Sequence, residues 1–238
     1  MTTGWLTGLF HGNDRISRGL IYVMLPFFLS TFLASSCQRI EKSYYPNGKM
    51  KFSYVKNKNG KIEGEAKFWY ENGNLQLIAN YNDGILDGKM TRYREDGSTQ
   101  SEDHYKSGKL DGVCLEMNKQ NIVLFERSYV NDTLNGLYKQ YDEAGRLLSE
   151  GEYRNGLYEG KWSYYDQFGH LIGEGMYEKG MGVMKSYDAD GNVVGVAEYR
   201  NNVRHGKETW YSVDGKQVRT VYYDEGEPVQ YEVKSDVP

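Results

Sequence analysis

The sequence predicts an all-β protein: an elongated single-layer array of about eight antiparallel β-hairpins. Three observations carry that prediction. Glycines recur at Gly64, Gly88, Gly112, Gly136, Gly160, Gly182 and Gly206, spaced by 24 residues except for 22 between Gly160 and Gly182. The seventeenth residue after each is a tyrosine: Tyr81, Tyr105, Tyr129, Tyr153, Tyr177, Tyr199 and Tyr223. Between the glycines, apolar residues alternate with a period of two, which is the period of a strand.

Each unit reads as strand, turn, strand, turn. With the recurring glycine as position 0, a first strand of about five residues ends on an aromatic at position 5. These are Trp69, Tyr93, Tyr141, Tyr165, Tyr187 and Tyr211, with Met117 in the remaining unit. A turn then closes at position 9 on Gly73, Gly97, Gly145, Gly169, Gly191 and Gly215, with Asn121 the exception. A second strand of about eight residues ends on the tyrosine. Position 20 supplies the next turn with Gly84, Gly108, Gly156, Gly180 and Gly226, and with Asp132 and Asn202 in the other two units. Asn and Asp are the L-residues that best tolerate a left-handed backbone, so the exceptions keep the same conformational demand. An irregular unit comes first, in which Tyr45-Pro46-Asn47-Gly48 matches Tyr70-Glu71-Asn72-Gly73 and Tyr54 stands in the tyrosine column. Terminal repeats of a stack are commonly atypical. The array is predicted over residues 44–227, followed by a tail over 228–238.

Alternation assigns the two faces. Positions 2, 11, 13, 15 and 17 share a side that is mostly apolar, small or tyrosine, as in Trp162, Leu171, Gly173, Gly175 and Tyr177. Position 14 lies opposite and is Glu102, Glu126, Glu150 and Glu174 in four consecutive units, with Lys89 and Lys161 available as partners. That ladder reads as a solvated face. Stability is then a sum of neighbour interfaces, and no deep core is needed. This accounts for a composition with 22 Tyr and 28 Gly but only 39% hydrophobic residues.

Composition also excludes several classes. Aromatics at 14% argue against disorder. Two cysteines exclude a disulfide-dense scaffold and a four-cysteine zinc site. A net charge of −4 gives no reason to expect nucleic acid as a partner. His11, His104, His170 and His205 fall at unrelated repeat positions, so no histidine column builds a metal site. Asp188-Ala189-Asp190-Gly191 reads as a turn, because the calcium-loop glutamate is replaced by Tyr199. Gly173-Glu174-Gly175 is not a phosphate loop, since no helix follows it. No catalytic residue, metal ligand set or cofactor is expected, and the chain is read as a non-enzyme.

The N-terminus carries a different signal. Arg15 and Arg18 precede a charge-free run, Gly19 to Ser36, whose apolar part fits a signal-peptide core better than a spanning helix. It ends in Leu33-Ala34-Ser35-Ser36-Cys37, which resembles the lipobox of bacterial lipoproteins, with Ala34 where that motif most often has Leu. The resemblance implies that residues 1–36 are removed and that Cys37 is acylated at the start of a short linker over 37–43. It also implies that the protein is lipid-anchored in the bacterial envelope, on the periplasmic or outer-membrane side. Cys114 is then unpaired and reads as a small buried apolar residue.

The repeat itself, seen in Gly160-Lys161-Trp162 with Tyr164-Tyr165, and in Tyr81-Asn82-Asp83-Gly84 with Asp87-Gly88, resembles the MORN repeat in its bacterial variant form. The resemblance covers about residues 44–227 and implies arrays of antiparallel hairpins that act as binding or scaffold modules. Some bacterial members are assigned as antitoxins of toxin–antitoxin systems. The family brings no catalytic motif, and lipid binding is not a dependable property of the repeat.

The expected function is therefore a membrane-anchored protein-binding scaffold of the envelope. The alternatives are an antitoxin or immunity protein that occludes a toxin, and a module that binds glycan or cell-wall polymer. The position-5 tyrosines Tyr93, Tyr141, Tyr165, Tyr187 and Tyr211 are the candidate exposed binding strip. Expected partners are a protein, with a toxin among the options, and the membrane through acylated Cys37. The sequence leaves the oligomeric state open.

Overall fold

The computed structural model describes residues 39–233, so Cys37 and the predicted signal segment lie outside the described residues. Within them the chain forms 18 strands in one sheet and no α-helix. The first six are β1 (Arg39–Tyr44), β2 (Met50–Lys56), β3 (Ile62–Trp69), β4 (Leu75–Asn82), β5 (Ile85–Tyr93) and β6 (Thr99–Lys106). The next first strand is split into β7 (Lys109–Leu110) and β8 (Gly112–Met117), followed by β9 (Val123–Val130). Then come β10 (Thr133–Tyr141), β11 (Leu147–Arg154), β12 (Leu157–Tyr165), β13 (Leu171–Glu178), β14 (Met181–Tyr187), β15 (Val193–Arg200), β16 (Val203–Tyr211), β17 (Gln217–Asp224) and β18 (Glu227–Val233). The strands pair antiparallel in chain order, as β12 does with β11 and β13, with β6 pairing both β7 and β8. The sheet starts before residue 44, because Arg39 to Tyr44 pair along β2, and it extends past residue 227 through β18. The expected linker and tail thus contribute strands at the two edges.

Both turn types follow from their residues. At the second turn, two residues with positive φ join the strands: 53° and 80° at Asn155-Gly156, and 67° even at Asp132 and Asn202. Two consecutive left-handed residues make the type I′ turn that matches strand twist. The N–H of each such turn donates onward, as Gly156 does to the Leu134 carbonyl at 2.8 Å, which ties one unit to the last. At the first turn, Asp142, Asp166 and Asp188 each accept backbone N–H groups of their own turn, at 2.8 to 3.0 Å. Asp188 therefore closes a turn, as its sequence implied. In the first units the same rim is bonded between repeats instead: the Tyr70 hydroxyl donates to the Tyr93 carbonyl at 2.9 Å.

The register explains the 24-residue spacing. In β11–β12 the pairs Tyr153↔Tyr158 and Glu150↔Ser163 enclose two more residues on β12 than on β11. The surplus forms a bulge at Gly160, whose φ is +67°. In β13–β14 the pairing runs without a break from Glu178↔Met181 to Gly173↔Ser186. Gly182 has no positive φ. The 22-residue spacing is the loss of that bulge, and Gly182 is a glycine for another reason: a Cβ there would lie 2.1 Å from the Met176 carbonyl oxygen.

One face assignment needs correction. Trp162↔Gly175 and Gly160↔Tyr177 place positions 2, 15 and 17 together, as expected. Position 11 does not join them. A second bulge skips position 12, so that Tyr165 pairs with Leu171 directly after Tyr164↔Gly173. One extra residue reverses the side, and the position-11 column lies with the position-5 tyrosines.

The remaining columns form a ring face. Trp162 is 2% exposed and Tyr177 3%. Tyr138, Tyr153, Tyr158, Trp162, Tyr177 and Tyr199 contact one another in sequence, with centroid separations of 4.3 to 5.6 Å. Burial pushes the hydroxyls of Tyr153, Tyr164 and Tyr177 well above the ordinary tyrosine range. Glycines make room for the rings, since a Cβ on Gly175 would lie 2.3 Å from the Tyr177 ring. Cys114 is buried in this face, and burial pushes its thiol pKa up.

Candidate functional site

The opposite, outer face carries the predicted strip. Tyr93, Tyr141, Tyr165, Tyr187 and Tyr211 are all half-buried, at the ends of β5, β10, β12, β14 and β16. Tyr141 to Tyr211 occupy four consecutive hairpins. Tyr93 is separated from them by Met117, which is buried. The position-11 residues Leu147, Leu171 and Val193 stand beside the rings as their cross-strand partners. The strip is thus apolar as well as aromatic, with polar hydroxyl tips.

The glutamate ladder flanks this strip. The Tyr165 hydroxyl donates to Glu150 at 3.1 Å. Lys89 pairs with Glu102 at 2.8 Å, and Lys161 with Glu174 at 2.6 Å. Two of the four ladder glutamates are thus paired with lysine, and exposed pairs of this kind add little stability.

Tyr165 is the wall shared by two grooves. One, of about 330 Å³, is lined by Leu137, Glu150, Lys161 and Ser163. The other, of about 350 Å³, is lined by Arg146, Leu147 and Phe168. Phe168 sits at the tip of the β12–β13 turn and is 73% exposed. Sequence reasoning did not select Phe168. Its signal was present, because position 8 is otherwise Asn72, Asp96, Gln120, Ala144, Asp190 or Asp214. Phe168 is thus a large exposed ring in a turn column of otherwise small and polar residues.

The MORN repeat variant model matches residues 40–54, 62–83, 86–107, 134–155, 158–179 and 182–201.

The chain belongs to the MORN repeat variant family.

No curated protein matches it. Every MORN window falls on a hairpin of the sheet, and the window ends fall at or next to the type I′ turns at 83, 107, 155, 179 and 201. The hairpin from Lys109 to Val130 is unmatched, although its strands pair like the others. MORN repeats serve in general as non-catalytic binding scaffolds.

One metal-like cluster occurs among the described residues: ligand atoms of His205, Asp224 and Glu225 lie within 4.8 Å of one another. It was not foreseen from the histidine positions. Its groups are already engaged, since the Glu225 N–H meets His205 Nδ1 at 3.4 Å and Arg200 pairs with the Glu225 carboxylate at 2.6 Å. It offers no vacant, converging donor set.

Proposed function

We propose that the array is a non-catalytic, protein-binding scaffold of the bacterial envelope, tethered through acylated Cys37 and engaging its partner along the outer tyrosine strip. The observation that carries the binding surface is the exposed Phe168 ring beside half-exposed Tyr165, with a groove on either side of Tyr165. Aromatic anchors beside one apolar and one charged groove are a composition that suits a hot spot. The tether is supported by Arg15, Arg18, the charge-free run and the small residues before Cys37.

Two measurements test this reading. Full-length protein is isolated from its own cells with its bound partners, beside the double variant Tyr165→Ala/Phe168→Ser. Loss of a partner from the variant, with circular dichroism unchanged, supports the strip. Retention of every partner removes it. Metabolic labelling with a radioactive fatty acid tests the tether, and equal labelling of Cys37→Ala would end that claim. A secreted toxin as the strip-dependent partner would specify an immunity role.

A further inference from the structure

In the other units, positions 4 and 15 of the ring face hold uncharged residues, as in Tyr164 with Gly175, Gln140 with Gly151 and Trp210 with Val221. Two adjacent hairpins break this rule. Positions 4 and 15 are Arg92 and Asp103 in one, and Glu116 and Arg127 in the next, with the signs exchanged. Arg92 pairs with Asp103 at 2.8 Å and Arg127 with Glu116 at 3.4 Å. Across β5, β6, β8 and β9 the charges run plus, minus, minus, plus. Between them lies a groove of about 330 Å³ walled by Tyr105 and Tyr129. The first strand is split at this point: β6 pairs Ser101↔Glu116 and Glu102↔Leu115 with β8, and Tyr105↔Leu110 and Lys106↔Lys109 with β7. The family model leaves the hairpin supplying Glu116 and Arg127 unmatched, as it does the hairpin over 203–224.

We propose that this groove binds the zwitterionic head of an α-amino acid, either free or carried at the end of a larger chain. The Arg92–Asp103 pair is the tighter one, and the Asp103 side chain is only 14% exposed, so it forms the fixed wall. The Arg127–Glu116 pair is longer, and Glu116 is 48% exposed, so it opens to admit the ligand. The ligand carboxylate accepts from the Arg127 guanidinium, and the ammonium donates to Glu116 and Asp103. A zwitterion replaces each broken bond with one of the same sign. A lone anion leaves Glu116 without its partner, and a lone cation leaves Arg127 without one. The Tyr105 and Tyr129 rings flank the ligand's apolar part. The site is separate from the outer strip and does not depend on it.

The test titrates the full chain with alanine, ethylammonium and propionate, read from the ring NMR signals of Tyr105 and Tyr129. Expected are saturable shifts with alanine and affinities weaker by about tenfold or more for the two singly charged probes, the cost of one unpaired charge. Glu116→Gln should weaken alanine binding by a similar factor, with an unchanged thermal midpoint. Arg127→Gln serves as the second variant. An N-acetylated peptide whose sole zwitterion is a side-chain α-amino acid separates the sources: binding equal to alanine assigns a polymer-borne head, and much weaker binding assigns a free one. Absence of saturation with alanine overturns the proposal, as does equal binding of propionate or ethylammonium. So does wild-type affinity in both variants.

Discussion

The hairpins over residues 134–200 and those over 86–130 share one backbone plan and carry opposite contents. In the first stretch the ring face is a run of contacting aromatics around Trp162 and Tyr177. In the second, positions 4 and 15 of the same face hold Arg92, Asp103, Glu116 and Arg127 around an open groove. The turns, with two consecutive positive-φ residues each, are alike in both. Backbone periodicity is therefore set by turn and bulge residues, and the ring face is free to be used for cohesion in one place and for solvated, selective chemistry in another.

The largest expected effect is at the centre of the aromatic run. Trp162→Ala should cost about 3–5 kcal/mol, whereas Glu116→Gln should stay within about 0.5 kcal/mol. Urea denaturation midpoints check this, and similar losses would erase the distinction between the two regions. Next is position along the array. Tyr153 touches Tyr138, Tyr158 and Trp162, while Tyr223 meets Arg204 at the edge. Tyr153→Ala should exceed Tyr223→Ala by about 2 kcal/mol, and equal losses would argue against neighbour-by-neighbour stability.

A smaller contrast lies within one column. At position 15, Gly175→Ala drives a Cβ into the Tyr177 ring and should cost about 1–3 kcal/mol. Asp103→Ala, in the open groove, should change stability by less than about 1 kcal/mol. Differential scanning calorimetry of the pair decides whether the groove is as loosely packed as its volume implies.

The smallest effect is a pH dependence at the first turns. Backbone N–H donation from Arg146 holds the Asp142 carboxyl below the usual carboxylate range. A depressed folded-state pKa contributes stability that is fully present above the unfolded value and is lost as pH falls through the folded one. Asp142→Asn should flatten the acid limb of a stability–pH profile, and an unaltered limb would show that this turn does not contribute.

Much of this was legible in the residues. Turn positions, strand order and the tyrosine column follow from Gly, Asn and Asp at fixed offsets, and Asp132 and Asn202 adopt positive φ as their chemistry predicts. The alignment of the position-5 tyrosines on the outer face was legible by column, but their cross-strand partners Leu147 and Leu171 were placed on the wrong face. A bulge adds a residue without a residue type that announces it. The bulge at Gly160 and its absence at Gly182 were equally hidden, since both positions are glycine. The charged groove escaped notice because column reading rewards agreement, and Arg92, Asp103, Glu116 and Arg127 are departures from their columns.

The meander also fixes how the molecule would carry load. Each strand is held only by its chain neighbours, so β1 and β18 sit at opposite ends of a series of ladders. Tension between those ends runs parallel to the hydrogen bonds and opens ladders one at a time rather than shearing them together. The ladder from β6 is shared between β7 and β8, with two pairs on each. Each released 24-residue hairpin pays out about 80 Å of chain. Anchored at one end and gripped at the other, the array would lengthen in steps before letting go.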